Sequence, residues 1–360
     1  MRSKFMRAGA LSGLVMAAFL TMPIPAAATS TLAINVPQID GNCLYIKAPA
    51  NRTVTLTWKD YAGGLKESAS IPTGSDDPLY CSTSNIIEVG DKLKVVMGSK
   101  SHKLTIPSLT GRINRVTDVI KGTGPAGAHL TIYCGASPFG GFEPCQWSKN
   151  VTVSSAGTWK VQTPLDLVGG WTMDVTWHNS FGDVASFDVT APWFQVFIGQ
   201  ARFSGVAQPL STATVDLDDS SLEFKGSGSG DAAPRTGWFT GQLRDAQGDL
   251  VTVAAGDHVG SDVAAGASFV VPMIVANATA ADDHVWGSCE LTPTYEGVWV
   301  ELYRDGHLRG VALEGFTDGT FDFDFQETFP DRANVMVGDK LFVKCIQGEG
   351  DYAIKVIFAQ

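Results

Sequence analysis

The chain has 360 residues, 37 acidic against 26 basic side chains, and a net charge of −11. The clustered Lys and Arg from which phosphate binding draws its affinity are missing, so a nucleic-acid partner is excluded. With 39 glycines, 19 phenylalanines and nine tryptophans set in short alternating runs, and no long apolar stripe of helical period, an all-helical protein is excluded and an all-β chain is indicated.

The chain opens with Arg2, Lys4 and Arg7 ahead of an apolar run from Ala8 to Met22, followed by the small residues Ala26, Ala27 and Ala28. This is the pattern of an export signal, predicted to occupy 1–28 and to be cleaved. Gly9 and Gly13 interrupt the run and Pro23 ends it, short of the roughly 20 residues a permanent anchor needs. The mature chain is expected to be secreted or extracellular, with no membrane insertion. It is longer than one compact core usually holds.

Four units follow in chain order. In 29–107, Pro49 precedes a strand with Val54, Leu56 and Trp58 alternating, Asp77-Pro78-Leu79-Tyr80 is a weak turn-plus-aromatic signal, and Gly90-Asp91 precedes Leu93 and Val95. In 108–192, Pro125 precedes Leu130, Ile132 and Cys134, Gly157-Thr158-Trp159 repeats the aromatic turn, and Gly170-Trp171 fits the third signal loosely. In 193–279 the same places hold Pro209 before Val215 and Leu217, then Gly237-Trp238-Phe239, then Gly256-Asp257. In 280–360 they hold Pro293 before Val298, Val300 and Leu302, then Gly319-Thr320-Phe321, then Gly338-Asp339. The prolines recur at intervals of 76, 84 and 84 residues (49 to 125, 125 to 209, 209 to 293), the length of one small domain.

The physical reading is local. Proline fixes φ and blocks pairing at the strand entry, glycine supplies turn dihedrals, and alternation turns one strand face to a core. About seven short strands in about 80 residues make a two-sheet sandwich. The junctions Ala191-Pro192-Trp193 and Ala278-Thr279-Ala280 are too short for linkers, so the units are expected to abut as a semi-rigid rod. Lys225 to Ala233, rich in Gly and Ser, reads as a flexible loop.

The Pro-led strand, the turn at Gly319-Thr320-Phe321 and the Gly-Asp pair together resemble the tandem immunoglobulin-like repeats of bacterial surface and secreted proteins. The resemblance covers nearly all of the mature chain. It implies four tandem immunoglobulin-like β-sandwich domains and a structural or binding role outside the cytoplasm, with no catalytic residues to transfer.

The six cysteines fall two to a unit, Cys43 with Cys81, Cys134 with Cys145, and Cys289 with Cys345. Pairing within units is the simplest of the possible connectivities, and it fits an oxidising compartment. No Cys-x-x-Cys and no His at ligand spacing suggests a metal site. Asp216, Asp218 and Asp219 are weak calcium candidates, lacking the Gly and distal Glu of a calcium loop.

No enzyme motif was found, and no cofactor is expected. Asp322 and Asp324 alternate with Phe321, Phe323 and Phe325, which reads as a solvent face opposite a core face. Trp58, Trp159 and Trp238 fall on the repeated strands and are expected in the core. Trp147, Trp171, Trp193 and Trp286 lie near turns or boundaries and are the candidates for an exposed, ligand-binding role, since ring faces stack on sugar. The leading functional reading is a non-catalytic scaffold, spacer or adhesin whose partner is an unidentified extracellular protein or glycan. The alternatives are a carbohydrate- or polymer-binding protein using exposed tryptophans, and an enzyme with a site at a domain junction lined by a His and two acids.

Overall fold

The computed structural model describes residues 32–74, 77–134, 147–289, 295–315, 319–325, 333–347 and 349–360; the leader, Cys145, Pro293 and Asp318 lie outside them. Among the described residues there are 28 strands and no α-helix. The first set comprises β1 (Ala33–Val36), β2 (Cys43–Lys47), β3 (Thr53–Lys59), β4 (Leu65–Pro72), β5 (Leu79–Cys81), β6 (Lys92–Met97) and β7 (Lys100–Thr105). The second comprises β8 (Thr110–Asn114), β9 (Val119–Thr123), β10 (His129–Cys134), β11 (Ser148–Thr152), β12 (Thr158–Gln162), β13 (Thr172–His178) and β14 (Val184–Thr190). The third comprises β15 (Trp193–Phe197), β16 (Arg202–Val206), β17 (Thr212–Asp218), β18 (Phe224–Asp231), β19 (Trp238–Gln242), β20 (His258–Ser261) and β21 (Ala267–Val270). The fourth comprises β22 (Ile274–Thr279), β23 (His284–Cys289), β24 (Tyr295–Arg304), β25 (His307–Gly315), β26 (Thr320–Asp324), β27 (Lys340–Gln347) and β28 (Tyr352–Phe358).

In every set the first, second and fifth strands form one sheet, and the third, fourth, sixth and seventh form the other. This is an immunoglobulin-like sandwich, so the chain is all-β. The repeated signals of the sequence mark three fixed places in it. The prolines precede the third strand, the aromatic turns open the fifth, and the Gly-Asp pairs open the sixth.

The Gly-Asp turn has one construction in the first, third and fourth sets. Gly90, Gly256 and Gly338 have φ of 85°, 87° and 88°, the region open to glycine. The aspartate that follows is buried and accepts the N–H three residues upstream, at 2.9 Å for Asp91, 2.7 Å for Asp257 and 2.8 Å for Asp339. A cation from the third or fourth strand satisfies each charge: Lys66, Lys225 and Arg304 respectively, as a buried carboxylate requires. Gly170 keeps the turn with φ of 84°, but Trp171 has no carboxylate to cap it.

The sets do not form a rod. In the first half, β14 pairs in parallel with β1, so that one seven-stranded sheet runs β11-β10-β13-β14-β1-β2-β5. In the second half, β28 pairs in parallel with β15, giving the order β19-β16-β15-β28-β27-β24-β25, the same arrangement strand for strand. Two sandwiches are therefore joined side by side in each half. One apolar core extends from Leu32 to Ala191 and another from Phe194 to Ala359. The expectation of end-to-end stacking is corrected by this lateral joint, which has no local signature because its partners lie about 150 residues apart.

Each joint is pinned by a buried aspartate at the entry of the last strand. Ile34 N–H donates to Asp183 Oδ1 at 2.8 Å, and Phe194 N–H donates to Asp351 Oδ1 at 3.0 Å. Asp183 takes His102 from its own half. Asp351 takes Arg115 from the other half in a two-pronged contact of 2.8 and 3.2 Å, with both side chains almost fully buried. Arg115 also donates to the Glu349 carbonyl, and beside it Gly350 packs so closely on Gly169 that a Cβ would meet the Gly169 carbonyl oxygen at 2.3 Å. The second half thus borrows a cation from the first, which fastens the halves together.

Lys225 to Ala233 is not a loop. Phe224–Asp231 forms β18, paired with β17 from Thr212 to Asp218. Its alternate glycines lie over the backbone of the neighbouring sheet edge: a Cβ at Gly228 would sit 2.2 Å from the Gln242 carbonyl oxygen and at Gly230 2.5 Å from that of Thr240. The glycines are there for close approach, not for flexibility.

Candidate functional site

The outward face of the second-half sheet carries the candidate site. Phe194, Val196, Val298, Val300, Leu341 and Val343 point into the core, so strand alternation sends their neighbours to the other face. Those neighbours are not a polar solvent face. On β15 they are Trp193, Gln195 and Phe197, on β28 Tyr352, Ile354 and Val356, on β27 Phe342 and Lys344, and on β24 Trp299, Glu301 and Tyr303. Phe197, Ile346, Tyr352 and Ile354 are buried there as a second apolar cluster outside the main core.

The register aligns these side chains in rows. Arg202 on β16, Phe197, Ile354, Lys344 and Trp299 stand in one row across five strands, while Ser204, Gln195 and Tyr352 stand in the next. The result is a trough of about 840 Å³ that crosses the parallel β15/β28 joint. Neither sandwich alone could form it. Five strands at about 4.8 Å spacing give it a width of roughly 19 Å.

Its floor and walls are aromatic. Trp193 stands edge-on to Tyr352 at 5.3 Å and to Trp238 at 5.7 Å, and Tyr303 stands edge-on to Phe342 at 5.3 Å. Three cations roof three rings: Arg202 over Phe197 at 4.7 Å, Lys340 over Phe342 at 4.7 Å, and Lys344 over Trp299 at 5.2 Å, each held by the ring quadrupole. Lys344 pairs with Glu301 at 2.6 Å and Arg304 with Asp339 at 2.7 Å. Burial, then the Glu301 charge, pushes the Tyr303 hydroxyl above its ordinary pKa; burial does the same to Tyr352, with Asp351 and Glu301 adding to it. Both phenols stay protonated at neutral pH, and the Tyr303 hydroxyl donates to Glu301 Oε2 at 3.5 Å.

Two polar atoms in this region are buried without a hydrogen-bond partner among the described residues, Gln195 Oε1 and Trp299 Nε1. Gln195 is only 6% exposed and spends its Nε2 on Ser204 Oγ at 2.8 Å. Turning the amide over would only exchange which end lacks a partner. Leaving such a group unmet costs about 1–3 kcal/mol.

The tryptophans singled out from the sequence are not brought together. Trp193 enters the trough. Trp147 and Trp171 pack against the first-half core, and Trp286 is 40% exposed on β23, away from the trough. Trp58 and Trp159 are in the core at 0% and 4% exposure, but Trp238 is 43% exposed and lines the trough, contrary to expectation. Its neighbour Phe239 takes the core position that Trp159 holds in the second set, so Trp238 must point outward. Trp299 was missed, and its signal was the apolar character of both faces of its strand.

The remaining candidates have structural placements. Asp219 accepts the N–H groups of Ser221 and Glu223 in its own turn, and Asp216 is exposed on β17. Among the described residues no three His, Cys, Asp or Glu side chains gather as a metal site. Cys43 bonds Cys81 across the neighbouring strands β2 and β5, and Cys289 bonds Cys345 between the two sheets of the fourth set. Cys134 is also disulfide-bonded, while Cys145 lies outside the described residues. A cleft of about 1630 Å³ separates the halves; Asp40, Glu88, Asp188 and Asp262 line it, and no histidine among the described residues does.

No protein-family model and no curated protein matches this sequence. Among solved structures, the tetra-tandem repeat in the extending region of a large adhesion protein aligns at 14% identity and a TM-score of 0.20, over 91% of this chain and 99% of that one. The BSP domain of a biofilm associated protein aligns at 7% identity and a TM-score of 0.18, over 93% and 97% of the two chains. Trypsin-activated alpha-2-macroglobulin from Escherichia coli aligns at 11% identity and a TM-score of 0.17, over 94% of this chain and 31% of its own. With scores this low the fold assignment rests on the strand topology alone.

Proposed function

We propose that the chain is an exported, non-catalytic extracellular protein, a scaffold or adhesin-type molecule of four sandwich modules divided near residues 107 and 192 and, because β22 belongs to the fourth set, between Val270 and Ile274 instead of at 279, which holds its ligand in the second-half trough. One observation carries the reading: an aromatic-walled trough, built across two sandwiches, in which the buried Gln195 Oε1 lacks a hydrogen-bond partner among the described residues. A sheet face that served only to meet water would not place Trp193, Trp238, Phe342 and Tyr303 together. The disulfides suit an oxidising compartment, and the pattern of 1–28 supports export.

The test is retention of the mature chain on insoluble polysaccharides and on whole cells. Trp238→Ala is expected to release it and Trp286→Ala to leave retention unchanged, because only Trp238 lines the trough. Equal retention of both variants, or of neither, would remove the trough from the account.

A further inference from the structure

We infer that the ligand of the trough is an acidic polysaccharide, a polymer of sugar rings bearing carboxylates; this deepens the proposed function and rests on it. Three features of the site converge on that chemistry. The first is shape, because a trough roughly 19 Å wide leaves Trp238 43% exposed beside Trp193, apolar ring surface on which a flat sugar ring can stack, while Phe197 and Phe342 lie beneath their cations. The second is hydrogen bonding. Gln195 has one unmet polar end, and the Tyr303 hydroxyl, which donates to Glu301 Oε2 at 3.5 Å, has an oxygen that can still accept. Each offers an acceptor, and a sugar hydroxyl can donate to either. A fatty chain would satisfy neither.

The third is charge. In a chain of net charge −11, the trough gathers four cations. Glu301 neutralises Lys344, and Asp339 neutralises Arg304. Arg202 and Lys340 are exposed, lie over ring faces, and form no ion pair among the described residues. Among the described residues, Asp305 is the one other acid on the rim. Arg202 stands on β16 and Lys340 on β27, on opposite sides of the β15/β28 joint. A polymer lying across the trough would meet one cation on each side while its ring faces rest on the aromatics between. A carboxylate would displace only water at either cation, and the guanidinium can receive it with two parallel hydrogen bonds.

The experiment is calorimetric titration of the mature protein with oligogalacturonate, with the carboxyl-reduced form of the same oligomer, and with a neutral glucan oligomer. Oligogalacturonate is expected to bind, about tenfold or more tighter than its carboxyl-reduced form, and to weaken as salt shortens the screening length. Arg202→Gln and Lys340→Gln, both exposed and so tolerated by the fold, are expected to weaken it similarly. They should leave the reduced oligomer unaffected. Equal binding of acid and reduced forms, or selective binding of the neutral glucan, would overturn the acidic class while leaving the trough as a sugar site. Binding of none of the three, or binding indifferent to Trp238→Ala, would overturn both readings.

Discussion

Gly228→Ala separates a packed strand from a flexible loop. The new Cβ would lie 2.2 Å from the Gln242 carbonyl oxygen and 2.7 Å from Phe203 Cε1. Neither neighbour can yield easily, since one is backbone of β19 and the other a ring with 0% exposure. Forcing atoms into such a site costs about 1–3 kcal/mol. Removing glycine freedom from the unfolded chain returns about 0.4–1 kcal/mol. The net loss should be about 1–2 kcal/mol, a fall in Tm of roughly 2–8 °C for a body of this size. Gly260→Ala on β20 is the control, because its Cβ would meet nothing nearer than 4.0 Å and should be neutral or slightly stabilising. Thermal unfolding followed by tryptophan fluorescence compares the two. Equal stability would mean that Lys225 to Ala233 is loose after all.

Arg115→Met would strand the Asp351 carboxylate, buried at 0% exposure, at a cost of about 3–5 kcal/mol; burial already raises the pKa of Asp351 against the lowering pull of Arg115, and calorimetry should show the loss. Replacing Cys289 and Cys345 with alanine opens a link spanning 56 residues, expected to cost about 4 kcal/mol in urea unfolding; a loss near zero would contradict that. Asp174 and Asp188 face each other on β13 and β14, and desolvation raises both carboxyl pKa values, with the Asp174 charge adding at Asp188. Their folded values lie above the unfolded value of 3.8, so the stability they contribute is complete below that pH and is lost as pH rises through the raised values. Asp188→Asn should therefore stabilise the protein at pH 7 and flatten its acid-range pH profile.

What could be read from the sequence were features fixed by local backbone chemistry. Proline entries, aromatic turns and Gly-Asp pairs marked the third, fifth and sixth strands of each sandwich, because each is required by dihedrals or by a single cap. What could not be read depended on distant partners. Nothing near β1 announces its pairing with β14, and nothing near Gly228 announces the strand beneath it. The trough escaped for a different reason. Alternation marks the core side of a strand and leaves Trp299, Glu301 and Tyr303 on the other side, where no local feature says that they gather with β15. Runs such as Trp193-Phe194-Gln195-Val196-Phe197, apolar at both parities, were the available sign that both faces are occupied. Trp238 was misplaced although its register was visible, since Gly237-Trp238-Phe239 aligned on Gly157-Thr158-Trp159 sets Phe239 inward.

The lateral joint is the claim on which the trough depends, and the first half allows it to be tested without disturbing the core. Asn35 and Val184 are direct partners across the parallel pair β1/β14, on the outward face, about 4.8 Å apart as neighbouring strands are and within disulfide range. Mass spectrometry of peptides from the oxidised Asn35→Cys/Val184→Cys protein should find the two residues covalently linked within one chain. Recovery of both as free thiols in a folded protein would contradict the lateral joint in the first half and, with it, the shared strand arrangement from which the β15/β28 joint under the trough is argued.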